Sequence, residues 1–113
     1  MFRILLVDDD THFRKSLKIS LETQGHFVFE NSNGMDALEF LKDNQSGENP
    51  VDRVIADARM PGLDGFWLTD QIVATYPSLR VILLTAHTYP DKTSQYTLLA
   101  KPVRIDVLMK TLE

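Results

Sequence analysis

Short apolar runs alternate with amphipathic stretches along the whole 113-residue chain, and this alternation is what most restricts its fold. Runs such as Ile4 to Val7 and Val81 to Leu84 are far too short to cross a bilayer. They suit strands buried on both faces, which read as continuous apolar stretches because neither face meets water. Strands of that kind separated by helical patterns predict an α/β domain, a parallel sheet covered by helices on both sides.

The first strand is expected from Phe2 to Val7. Thr11 caps a helix that turns Phe13, Leu17 and Leu21 inward and stops near Gly25, before a second strand from His26 to Glu30. Asn33 and Asp36 open a second helix with Met35, Leu38 and Leu41 at helical spacing, followed by a polar loop from Asp43 to Pro50. Val51 to Ala56 is the third strand, and the turn-rich Met60-Pro61-Gly62-Leu63-Asp64-Gly65 leads into a helix from Phe66 to Tyr76 that Pro77 ends. Arg80 to Leu84 and Leu98 to Ala100 complete the strands, and Val103 to Leu112 is a last helix with Ile105, Leu108 and Leu112 inward. This pattern predicts a flavodoxin-like three-layer sandwich with strand order 2-1-3-4-5, in which ligands bind beyond the carboxyl ends where the order reverses. That point lies between strands one and three, where Asp8, Asp9 and Asp57 converge.

Composition narrows the setting. A content of 43% hydrophobic residues fills one core, so residues 1–113 are expected to form a single domain. The first apolar stretch is cut off by Asp8, Asp9 and Asp10 well short of the length expected of a signal-peptide core. With no cysteine, thiolate metal sites and disulfide frameworks are excluded, and a cytoplasmic address is the default expectation. A net charge of −4 and the lack of a basic stripe speak against nucleic-acid binding.

Adjacent carboxylates repel unless a cation or a lysine joins them. Oxygen ligands without cysteine suit a hard cation, and Mg2+ is the best match. Thr85 closes strand four and Lys101 closes strand five, adding a hydroxyl donor and an ammonium at the same end of the sheet. Phosphoryl transfer depends on cations and donors placed around equatorial oxygens while attack proceeds in line. Asp57 is therefore the candidate nucleophile, forming an acyl phosphate. Asp9 and Asp57 are expected to bind Mg2+ directly, Asp8 through water, and Arg59 through its backbone carbonyl, while Thr85 and Lys101 hold phosphate oxygens.

These residues give the chain its resemblance to the receiver domain of two-component response regulators, the CheY-like superfamily. The matching segments are Val7-Asp8-Asp9, Ala56-Asp57 with Met60-Pro61-Gly62-Leu63-Asp64-Gly65, Leu84-Thr85-Ala86 and Lys101-Pro102, in the family's order. The resemblance implies a 4-aspartylphosphate made in a Mg2+-dependent reaction, with a sensor histidine kinase or phosphotransfer protein as donor. It also implies a downstream protein or C-terminal output domain as the reader, a monomer or phosphorylation-dependent dimer, and a cis Lys101-Pro102 peptide. A protein of this kind assists its own phosphorylation and dephosphorylation and is not a turnover enzyme. The chain is expected to be a stand-alone receiver or the first domain of a longer regulator.

Three features depart from the family pattern. Residues 86–96, with Pro90 among them, are at the lower limit for a parallel crossover, so the helix between strands four and five is expected to be short, distorted or missing. Leu98 stands where the family commonly has a switch tyrosine or phenylalanine, with Tyr89 and Tyr96 as the nearby aromatic substitutes. Arg59 and His87, two places past Asp57 and Thr85, can reach an anionic phosphoryl group and set its lifetime. Asp10 and Asp64 are read as helix caps, His12 and His26 as solvated or edge residues without metal partners, and Trp67 as partly buried core. The rival readings are a phosphorylation-independent interaction module and a haloacid-dehalogenase-like phosphatase using Asp8, whose following threonine is out of place.

Overall fold

A computed structural model of the protein describes residues 1–113. In chain order it contains β1 (Arg3–Val7), α1 (Thr11–Thr23), β2 (Phe27–Asn31), α2 (Gly34–Asn44), β3 (Arg53–Asp57), α3 (Gly65–Thr75), β4 (Arg80–Thr85), β5 (Thr97–Ala100) and α4 (Ile105–Leu112). The five strands form one parallel sheet in the order β2-β1-β3-β4-β5, the expected flavodoxin-like arrangement. No helix is long and apolar enough to cross a membrane.

Side chains of a strand alternate between faces, and β1 uses both. Ile4 and Leu6 join Leu17 and Leu21 of α1 and Leu108 and Leu112 of α4 on one side. Leu5 and Val7 join Ala37 and Leu41 of α2 and Leu68 and Ile72 of α3 on the other. Burying each of the valine, leucine and isoleucine side chains among these is worth about 1.5–3 kcal/mol, so the two clusters fix the register of the sheet between them. That register aligns Val7 with Ala56, Asp57 with Leu84 and Thr85 with Ala100, which brings the carboxyl ends of four strands to one level.

Four local expectations are corrected. Asp10, not Thr11, caps α1, because its carboxylate accepts the Phe13 N–H at 3.1 Å and Thr11 is already helical. The buried face of α2 is Gly34, Ala37 and Leu41, while Met35 is exposed, since the chain enters this helix one position out of phase with the apolar spacing. Strand β3 begins at Arg53 and takes in Asp57. α4 starts at Ile105, two residues after Val103, because Arg104 before it is still extended, with φ −84° and ψ 132°; the Lys101-Pro102 peptide is cis, as expected.

The expected shortening of the crossover between β4 and β5 is present as a single 3-10 turn, Pro90–Lys92. In place of a helix, Tyr89 and Tyr96 both pack edge-on against Phe66, each with ring centres 5.0 Å apart. Lys92 lies over the Phe66 ring, and the Tyr96 hydroxyl donates to Asp70 on α3 at 2.8 Å. Beside this cluster a groove of about 340 Å³ runs past Thr85, Tyr89, Pro90, Leu98 and Ala100.

Candidate functional site

The acidic site forms where β1 and β3 end. Asp8, Asp9 and Asp57 each present one carboxylate oxygen, and these atoms lie within 4.8 Å of one another. Asp8 is placed by its N–H donating to the Asn31 carbonyl of β2, and its Oδ1 accepts the Asp10 N–H at 2.9 Å. Asp10 then caps α1, so the acidic turn runs straight into the helix. On β3, Asp57 Oδ1 accepts the Arg59 N–H at 3.1 Å, which fixes the rotation of the carboxylate.

Close approach of α3 requires Gly65. A Cβ there would run into the Asp57 carbonyl oxygen and come within 2.9 Å of Ala58 Cα. The Gly65 N–H instead donates to the Ala58 carbonyl at 3.0 Å, and Asp64 caps α3 through the Trp67 N–H, the capping role expected for it.

Lys101 reaches in from the end of β5. Its ammonium lies 3.1 Å from Asp57 Oδ2 and 3.3 Å from Asp8 Oδ2, and 4.1 Å from the centre of the Phe13 ring. Burial works against the charged lysine, but the hydrogen bond to Asp57 and the attraction of Asp8 and Asp57 outweigh it and raise its pKa. Burial raises the pKa of Asp8, with the Asp10 N–H and Lys101 pulling the other way. The Lys101 N–H donates to the Thr85 carbonyl at 2.8 Å and ties the ends of β4 and β5 together.

The Thr85 hydroxyl donates to the His87 carbonyl at 3.1 Å and accepts the His87 N–H at 3.0 Å. Arg59 Nη1 and His87 Nε2 are 3.3 Å apart at the exposed mouth. Every residue expected at the site is thus at one end of the sheet. His12 is exposed in the first turn of α1, His26 accepts the Phe2 N–H at the edge of the sheet, and neither belongs to the carboxylate cluster. Trp67 is half-buried against the α2–α3 core.

The donor set fits a divalent cation. Three carboxylates with only one ammonium between them leave negative charge for a hard ion to balance. The Arg59 carbonyl, beside Asp57, makes no hydrogen bond within the chain that would compete for it. Asp8 is only 1% exposed whereas Asp57 is half-buried, so Asp8 is the less accessible nucleophile, which counts against the phosphatase alternative.

Sequence reasoning missed Phe13, Gly65 and the pair Arg14 and Glu30 as parts of the site's frame. In the sequence, Phe13 reads only as an inward residue of its helix and Gly65 only as part of the turn, while Arg14 and Glu30 carry no signal beyond Arg14 standing next to Phe13 on an amphipathic helix.

Comparison with known proteins agrees with this geometry. The family profile for the response regulator receiver domain matches residues 4–113. The transcriptional regulatory protein GlrR of Escherichia coli (strain K12) is 34% identical over 97% of this chain, which spans only 25% of that protein. A response regulator receiver domain protein from Clostridium thermocellum superposes with a TM-score of 0.88 at 30% identity, covering 99% of this chain and 91% of the other. The chemotaxis protein CheY4 of Vibrio cholerae follows with a TM-score of 0.83 at 28% identity, over 99% and 96% of the two chains. With the sheet order, the acidic end of the sheet and a profile match over nearly its whole length in agreement, the chain belongs to the receiver domain family of two-component response regulators.

Proposed function

We propose that residues 1–113 act as one receiver domain that accepts a phosphoryl group on Asp57 in a Mg2+-dependent reaction, from a sensor histidine kinase or a phosphotransfer protein. The observation that carries this reading is the meeting of Asp8, Asp9 and Asp57 with the Lys101 ammonium at the end of the sheet. Because the chain spans about a quarter of GlrR, a C-terminal output domain or a downstream protein is the proposed reader.

Asp9 and Asp57, the Arg59 carbonyl and, through water, Asp8 would hold the ion. When bound, Mg2+ would balance their charge and supply a Lewis acid for phosphoryl oxygens beside Asp57. An Asp57 carboxylate oxygen attacks phosphorus as the bond to the donor's leaving atom breaks. Lys101 turns its ammonium from Asp57 Oδ2 to an oxygen of the arriving group. Thr85 releases the His87 carbonyl and donates its hydroxyl to another phosphoryl oxygen. These residues serve one transfer to the domain itself, so no turnover on a second substrate is needed.

Arg59 and His87, in contact across the mouth, would set the lifetime of the acyl phosphate, Arg59 by shielding it and His87 by placing or blocking the attacking water. Uptake of one phosphoryl group from acetyl phosphate with Mg2+, and none with EDTA, is the expected result. No uptake in either condition would remove the reading in favour of a phosphorylation-independent interaction module.

A further inference from the structure

We propose that Arg14 is a positioning residue for the cation pocket, fixing the Asp8–Asp9 peptide so that both carboxylates face Asp57; this rests on the Mg2+ reading above.

Arg14 lies on α1 and is only 9% exposed. Its Nη1 donates to the Asp8 carbonyl at 2.6 Å and its Nε to Glu30 Oε1 at 3.0 Å. A buried guanidinium holds its place only where its N–H groups find acceptors, so these two bonds define where it sits. Glu30 in turn is a firm anchor. It stands on β2 beside Leu6 and also accepts from Lys15 at 2.9 Å and Lys18 at 3.2 Å.

The Asp8 main chain is therefore gripped on both sides. Its N–H donates to the Asn31 carbonyl at 3.2 Å, and its carbonyl is held by Arg14. Asp9 depends on this most. Its side chain is exposed and takes no part in the hydrogen bonds that fix Asp8 Oδ1 and Asp10 Oδ1. The direction of the Asp9 carboxylate follows from the peptide plane before it, and that plane contains the carbonyl Arg14 holds. A purely structural role, fastening α1 to β2, would need only the bond to Glu30.

The test is an NMR titration of the full chain with MgCl2, following the amides of Asp9, Asp57 and Arg59, with urea unfolding of each variant in EDTA. Arg14→Met is expected to weaken Mg2+ binding by about tenfold or more, the usual effect of removing a group that orients metal ligands. Arg14→Lys can still donate to the Asp8 carbonyl and is expected to recover part of the loss. Arg53→Met, at the opposite end of the sheet, should lose stability and keep its Mg2+ affinity, which separates positioning from general loosening.

Should Arg14→Met fail to fold, Arg14→Lys and Glu30→Gln carry the test, and weaker binding in both supports the proposal. Unaltered Mg2+ affinity in the folded Arg14 variants overturns it and leaves the phosphoacceptor reading standing. Absence of Mg2+ binding by the unmodified chain overturns both.

Discussion

Lys101 is the residue on which the charge balance of the site turns, because its single ammonium pairs with Asp8 and Asp57 at once. Removing one partner of a buried ion pair leaves the other uncompensated. Lys101→Met is therefore expected to lower stability in EDTA by about 1–3 kcal/mol in urea unfolding, with Mg2+ restoring part of it. No loss in EDTA would show that the ammonium is not paired. Gly65→Ala pushes a methyl group against the Asp57 main chain and should cost about 1–3 kcal/mol by overpacking, with slower phosphoryl uptake. Arg59→Ala and His87→Ala are expected to change the decay rate of the phosphorylated protein by about threefold or more, or roughly 0.6 kcal/mol in barrier. Decay rates equal to that of the unmodified chain would take both residues out of the mechanism.

At the scale of elements, the crossover from β4 to β5 differs most from the rest of the sheet. It carries one 3-10 turn, and its packing rests on Phe66, Tyr89 and Tyr96 with a tether from Tyr96 to Asp70. Segments with few buried contacts open at low free energy. Amide exchange over 86–96 is expected to be faster than in β4, and Tyr96→Phe, which deletes the tether, should speed it further. Exchange as slow as in β4 would mean that this cluster replaces a helix in full.

This shortening was legible because eleven residues containing a proline leave little room for a helix, a matter of chain geometry. The acidic end of the sheet was legible for a similar reason, since apolar runs ending in Asp8 and Asp57 place carboxylates at the strand ends. What could not be read depends on distances between elements. Arg14 reaches Asp8 and Glu30, Phe13 lies over Lys101, and Gly65 touches Asp57 only once the helices have packed. The Met35 error has a local cause, because apolar spacing gives a helix its period but not its phase when Gly34 and Ala37 do the facing.

Across the whole molecule, acid stability should follow Glu30. Burial acts to raise its carboxyl, but hydrogen bonds from Lys15, Arg14 and Lys18 prevail and lower it from 4.5 to about 2. A carboxyl depressed in the folded state stabilises it fully above its unfolded value and loses that effect as pH falls through the folded value. The contribution is thus present above about pH 4.5 and decays toward pH 2, with a size of about 2 kcal/mol after discounting the solvent-exposed lysines. Urea unfolding from pH 6 to about pH 2.5 should show this slope, and Glu30→Gln should flatten it.

Whether this end of the sheet receives a phosphoryl group on Asp57 is decided by site-mapped phosphorylation. The protein is incubated with acetyl phosphate and Mg2+, the acyl phosphate is trapped by reduction, and the labelled residue is located by peptide mass spectrometry. Label is expected on Asp57 alone, with none in Asp57→Asn. Label on Asp8, or label retained by Asp57→Asn, would contradict it.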